Sequence, residues 1–115
     1  MGTINATINY KGKSGKNYQF RLYTINSDFA ENSGGVYIIT KRTENPDGNG
    51  THKLLYIGKA NKFQSRFSNH EKWHAFMMND ANCVGIYKTS SETESLDIEE
   101  DLIKEQLPLL NSQHN

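Results

Sequence analysis

A glutamate where a helix should be apolar is the first sign of chemistry in this sequence. The stretch from about Glu92 to Gln106 has helical periodicity. On a wheel of roughly 100° per residue, Leu96, Ile98, Leu102, Ile103 and Leu107 fill one arc. Asp97, Asp101, Lys104 and Glu105 take the opposite side, and Glu94 and Glu100 lie outside the arc or at its margin. Glu99 falls near the middle of the apolar arc. A carboxylate facing a core costs on the order of several kcal/mol unless it is paired or binds a metal. Two partners answer that cost: a buried Arg or Lys, or a hard divalent cation held directly.

A second segment repeats the pattern with the opposite charge. Between Lys62 and about Met78, Phe63, Phe67, Trp73 and Met77 mark an apolar helical face. Arg66 and His70 share that face, three and seven residues after Phe63, and His74 lies close by. The aromatic residues read as core. A guanidinium in such company needs a carboxylate or a phosphate. The helix follows Gly58-Lys59, so its positive end and a lysine point at one spot. A carboxylate, an arginine, a lysine and a helix N-terminus suit metal-assisted attack on a phosphodiester.

The elements that must position these groups follow from local signals. Residues 3–10 and 17–25 are rich in Thr, Ile, Tyr and Phe and flank Lys-Gly-Lys-Ser-Gly-Lys, which predicts a β-hairpin. A polar connector from Asn26 ends in Ser33-Gly34-Gly35. Strands are expected at 36–41 and 53–57, around a mobile Asn-Pro-Asp-Gly-Asn-Gly tip, with Gly58 ending the second. Asn61 is the expected N-cap of the first helix, and Asn79-Asp80 its end. A strand at 83–89 follows. Ser91 and Glu94 form a capping-box signal for the last helix, and Pro108 stops it. The order ββ, ββ, α, β, α predicts an α+β fold: a small, mostly antiparallel sheet flanked by helices.

Bulk properties narrow the function. The 115 residues make one domain, with room for a catalytic unit but not for a separate large recognition domain. One cysteine, Cys83, cannot form an internal disulfide. No apolar run approaches a membrane span and no leader is visible, so a soluble cytoplasmic protein without membrane contact is expected. Net charge is zero but uneven. Residues 1–75 hold eleven Lys/Arg and five Asp/Glu, while residues 76–115 hold two and eight. The balances are +6 and −6. Basic regions attract phosphates; acidic ones attract metals or stay solvated.

The ordered motifs then resemble a known family. Gly35-Val36-Tyr37, Tyr56-Ile57-Gly58, Lys59-Ala60 and Arg66, ten residues after Tyr56, are similar to the GIY-YIG nuclease domain. His70 fits the family's histidine after that arginine. Glu94 to Lys104 resembles its glutamate helix, and Pro108 and Asn111 its Pro-x-x-Asn ending. The resemblance covers about residues 34–111. It divides the chain into an N-terminal hairpin and connector, 1–33, and a catalytic region, 34–115. The hairpin is extra to the family pattern and is assigned to additional sheet or a partner surface. Gly85-Ile86-Tyr87 spells the motif literally but follows Tyr-Ile-Gly instead of preceding it. Tyr37 is therefore the first tyrosine, and Tyr87 an ordinary strand residue.

The resemblance implies roles. Glu99 would hold a single Mg²⁺ (or Mn²⁺), and Arg66 would bind the scissile phosphate. Tyr37 would act as, or help to position, the base for the attacking water. Tyr56, Lys59 and His70 would lie beside it, and Asn111 would support the site. A phenol with a reference pKa of about 10 is a poor base at neutral pH, and a nearby cation would favour its phenolate. The expected substrate is DNA. No zinc finger or helix-turn-helix accompanies the motifs, so specificity would come from this domain, self-association or a partner protein. Two other readings are a catalytically silent nucleic-acid- or protein-binding module, and a structural domain in which Glu99 and Arg66 form a core ion pair.

Overall fold

A computed structural model of the chain describes residues 3–29 and 33–111. The β-rich stretches form five strands: β1 Thr3–Lys11, β2 Asn17–Thr24, β3 Gly35–Glu44, β4 Gly50–Ala60 and β5 Cys83–Lys88. They make one sheet in the order β1-β2-β5-β3-β4, and every pairing is antiparallel. β2 pairs with β5, so the N-terminal hairpin belongs to the same sheet. Gly15, at φ +91°, makes the hairpin's turn.

Helices cover both faces. α1 (Phe63–Ser68) and α2 (Trp73–Met78) lie on one, packed with Tyr37, Ile39, Leu55, Val84 and Ile86. α3 (Glu92–Gln106) lies on the other, over Val36, Ile38 and Ile57, through Ile98 and Leu102. Alternation along β3 feeds the two cores in turn, as the two-residue strand period requires. Tyr87 packs on the α3 side against Tyr18 and Phe20, away from Tyr37.

Several local expectations need correction. The first helix is two short ones. The chain breaks at 69–72, where His70 turns inward to a buried partner. That side-chain bond takes the place of the helical turn that would have carried His70 on a helix face. Lys62, not Asn61, is the N-cap, without a side-chain cap bond. Phe76 is fully buried while Met77 is 41% exposed, because the break rotates α2 relative to a continuous helix. Gly58 does not end its strand; β4 runs to Ala60 opposite Gly35. The strand tip shrinks to residues 45–49, closed by Asn45 N–H donating to Asn49 O at 2.7 Å.

α3 keeps its predicted length. Ser91 Oγ accepts from Glu94 N–H at 3.1 Å, and Glu94 Oε1 accepts from Ser90 N–H at 2.8 Å. The box thus closes one residue earlier than its standard form. Its buried stripe is Ser95, Ile98 and Leu102, whereas Leu96 and Leu107 are 40% and 73% exposed. The helix is rotated from its apolar wheel, and Glu99 sits half-buried on the flank of the stripe, not in its middle.

One side chain ties the hairpin to α3. Asp101 accepts from Ser14 N–H (2.8 Å), Ser14 Oγ (2.7 Å) and Tyr18 Oη (2.8 Å). Lys13 N–H donates to the Asp101 carbonyl, and Gln106 Nε2 to the Lys11 carbonyl. Asp101→Ala is expected to destabilise the fold by about 1–3 kcal/mol, measured by denaturant unfolding at neutral pH. The Ser14 bonds hold the Asp101 carboxyl below its usual range. Its contribution is therefore present at neutral pH and lost as pH falls through that depressed value. The mutant deficit should shrink on acidification; a deficit that persists would count against the clasp.

Candidate active site

The site straddles β4, an edge strand. Ile39 pairs with Tyr56 and Tyr37 with Gly58, so Tyr37 and Tyr56 share the face carrying α1 and α2. A register shift between Ile39 and Thr40 makes Leu55 the extra residue. The bulge lets Leu55 and Tyr56 both join that core, next to a site, as bulges often do. Val36, in the α3-side core, opposes Lys59, so Lys59 stands on the α3 side with Glu99.

Gly58 makes the close approach possible. A Cβ there would lie 2.4 Å from Tyr37 Oη and 2.5 Å from its Cζ. The Tyr37 ring crosses directly over that backbone. Phe67 meets it edge-on at 4.9 Å between centroids, and Tyr56 lies at 6.1 Å. Tyr37 has no exposed surface.

His70 completes this corner. Its Nε2 is 2.6 Å from Tyr37 Oη, and its Nδ1 accepts from Lys72 N–H at 3.0 Å. Burial lowers the His70 pKa to about 4, so the ring is neutral. With Nδ1 accepting, the single proton is assigned to Nε2, which donates to Tyr37. Tyr37 thus accepts from His70 and keeps its own proton.

Burial, reinforced by Tyr56, raises the Tyr37 pKa above its ordinary value; Arg66 opposes the shift without reversing it. Burial also raises Tyr56, again against Arg66. The expected phenolate does not form in the unliganded protein. Desolvation outweighs one neighbouring guanidinium.

Arg66 and Glu99 are not an ion pair. Arg66 Nη2 donates to Glu71 Oε1 at 2.8 Å, and Glu71 is largely exposed. Glu99 makes no hydrogen bond or salt bridge to another described residue. Burial raises its pKa, while Lys59 and Arg66 pull it down. Lys59 sits 3.9 Å from Glu92, a loose and partly exposed contact. The six residues of α1 are too few for a strong dipole, so the anticipated helix N-terminus adds little.

Asn111 braces the edge. Its Oδ1 accepts from Ile57 N–H (2.7 Å) and its Nδ2 donates to Ile57 O (2.8 Å), reproducing a strand partner. Leu110 N–H bonds the Leu55 carbonyl. The peptide between Tyr56 and Gly58 is thereby fixed. His74 is exposed and stands outside this group.

Tyr37, Tyr56, Arg66 and His70 are thus brought together on one side of β4, Lys59 and Glu99 on the other, with Asn111 behind. Sequence reasoning missed Glu71 and Glu92, the partners of Arg66 and Lys59. Glu71 follows Arg66 by five residues, a helical non-neighbour that meets it only because the helix breaks. Among the described residues no three His, Cys, Asp or Glu cluster as a closed metal site. Glu99 alone suits a hard cation that keeps its waters and takes other oxygens from a phosphate.

The family model described as the UvrC-like GIY-YIG domain matches residues 33–112. UvrABC system protein C of Rhodopseudomonas palustris (strain HaA2) is 35% identical over 69 residues, 55% of this chain and 10% of that protein. The chain spans about a tenth of the length of this curated relative. No solved structure matches it.

Proposed function

Because the chain belongs to the UvrC-like GIY-YIG domain family, we propose that it is a metal-dependent endonuclease hydrolysing DNA phosphodiester bonds. The family and the UvrC relative support DNA cleavage of the nuclease type. The observation that carries the finer reading is Glu99. It is a half-buried carboxylate with no hydrogen-bonding partner among the described residues, beside an arginine whose own partner is a surface glutamate.

Glu99 would hold a divalent cation such as Mg²⁺ or Mn²⁺, which would supply positive charge to offset the charge developing on the phosphodiester. Arg66 leaves Glu71 for the scissile phosphate, exchanging one exposed carboxylate for a doubly anchored anion. Tyr56 is half-exposed, and its ring lies 6.1 Å from that of the buried Tyr37. Once Arg66 moves to the phosphate, water reaches Tyr37. Tyr37 first gives its phenol proton to that water, and the phenolate then orients the attacking water and takes one proton from it, ending as phenol. The Nε2–H of His70 stays on the Tyr37 oxygen and stabilises the phenolate until that proton arrives. Lys59 adds positive charge from the α3 side, and Asn111 holds the Tyr56–Gly58 backbone still.

The test is incubation with plain, nicked and branched duplexes, and with RNA, in Mg²⁺ or Mn²⁺. Metal-dependent strand scission that vanishes in Glu99→Ala supports the reading; identical traces for the two proteins overturn it. The full burial of Tyr37 favours one alternative, a silent nucleic-acid- or protein-binding module. It predicts salt-dependent DNA binding without turnover. No described helix is long and apolar enough to cross a membrane. We place the activity in the cytoplasm, with self-association or a partner protein supplying specificity.

His70 gives this mechanism a pH signature. Its imidazole stays neutral down to about pH 4. The profile of kcat/KM should therefore rise with pH and show no inflection near 6.5. An acid limb at 6.5 that disappears in His70→Asn would show that the ring titrates as a base and not as a fixed donor.

A further inference from the structure

Beside Arg66 runs a groove enclosing about 590 Å³. Lys62, Ser65, Arg66 and Asn69 line it from α1 and its two caps. They fall at i, i+3, i+4 and i+7, so they form one polar stripe opposite the buried Phe63. Seven residues rise about 10 Å along a helix. That matches about three nucleotide steps at 3.4 Å per strand. Lys59 lines the same groove from the end of β4.

The chemistry of the stripe is specific in kind. Three cations face one carboxylate, Glu92, and the other groups are a hydroxyl and amides. Lys62 forms no salt bridge to another described residue. Glu92 is exposed and only loosely engaged with Lys59 at 3.9 Å. A groove with three cations against one carboxylate, and neutral donors beside them, suits a chain of phosphates better than a neutral or cationic ligand.

We propose that this stripe binds the sugar–phosphate backbone of nucleic acid to one side of the phosphate held by Arg66. Lys62 and Asn69 contact flanking phosphates, and Glu92 competes with them for Lys59. The inference rests on the nuclease reading, and the following experiment separates the two.

Binding of a fluorescent duplex to the full chain is followed by anisotropy from low to high salt, without divalent metal. Lys62→Ala should weaken binding about 3- to 10-fold and make the slope of log K against log[salt] shallower by about one unit. Asn69→Ala should weaken binding with little change of slope. Glu92→Gln should tighten binding, because a groove anion is removed and Lys59 is released. Lys53→Ala, an exposed lysine on β4 outside the groove, is the control for general charge. Equal effects of Lys62→Ala and Lys53→Ala, or weaker binding in Glu92→Gln, overturn the proposal. If wild type cleaves while Lys62→Ala binds unchanged, the groove fails alone. If wild type binds with the expected slope and never cleaves, the nuclease reading fails and the groove stands.

Discussion

Glu99→Gln should lower metal-dependent cleavage by about a hundred- to a thousandfold, the size expected when a preorganised charge-stabilising group is lost. The amide has the same shape, so packing beside Ile98 and Leu102 is kept. What disappears is the negative charge that would anchor the cation. The same substitution should raise stability. Burial raises the Glu99 pKa above the ordinary carboxylate value. A carboxyl raised in this way opposes folding above its unfolded pKa, because the folded state penalises the charge that the unfolded chain tolerates. At neutral pH the amide removes that penalty. Activity and melting temperature should therefore move in opposite directions, as at other sites where function costs stability. A core ion pair would behave otherwise: breaking it would lower the melting temperature. A less stable Glu99→Gln protein with intact cleavage would sink the metal reading.

Gly58→Ala should damage the fold and the site together. The new Cβ would lie 2.4 Å from the Tyr37 hydroxyl oxygen. Tyr37 cannot retreat. Phe67 abuts its ring edge-on, His70 holds its oxygen at 2.6 Å, and no part of it is exposed. Nor can β4 withdraw, because Asn111 bonds both polar atoms of the adjoining Ile57. Overpacking of this kind costs about 1–3 kcal/mol, and a site pinned on three sides belongs at the upper end. Cleavage should fall about a hundredfold as well, since a displacement near 1 Å is enough to misalign a reacting group. Denaturant unfolding and single-turnover cleavage measure the two effects. Gly15→Ala is the useful comparison. It meets no atom within 4 Å but sits at φ +91°. Its cost should be only about 1 kcal/mol, with cleavage untouched. Wild-type stability in Gly58→Ala would show that Tyr37 is not wedged as described.

The order of strands and helices was legible because each element carries its own period and its own stop signals. The Thr/Ile/Tyr alternation of β1 and β2, the Ser91–Glu94 cap and the Pro108 stop act within a few residues. Tyr37, Tyr56, Arg66 and Glu99 could be picked out by motif order, and Glu99 also by its misfit on a polar–apolar wheel. That wheel was wrong about its angle, since Glu99 sits half-buried on the flank of the buried stripe. Leu96 and Leu107 are apolar yet exposed, while Ser95 is buried because its hydroxyl bonds Thr89 Oγ1 at 2.6 Å. A hydrophobic count cannot register a polar side chain that burial accepts once its hydrogen bond is satisfied. The break between α1 and α2 escaped for a similar reason. No Pro or Gly marks it; it exists because His70 is drawn to Tyr37 from a strand 33 residues earlier.

By itself, then, the sequence determined the α+β class, the antiparallel hairpins, the final helix and the family to which the chain belongs. These depend on short-range periodicity, capping and motif order. Only the tertiary structure decided who partners whom. It gave Arg66 to Glu71 and Lys59 to Glu92, left Glu99 without a hydrogen-bonding partner among the described residues and set Tyr37 against the bare backbone of Gly58. It also kept Tyr37 protonated, since desolvation outweighs the nearby guanidinium. Pairing and pKa both depend on distance and burial between groups remote in sequence, quantities that no linear pattern encodes.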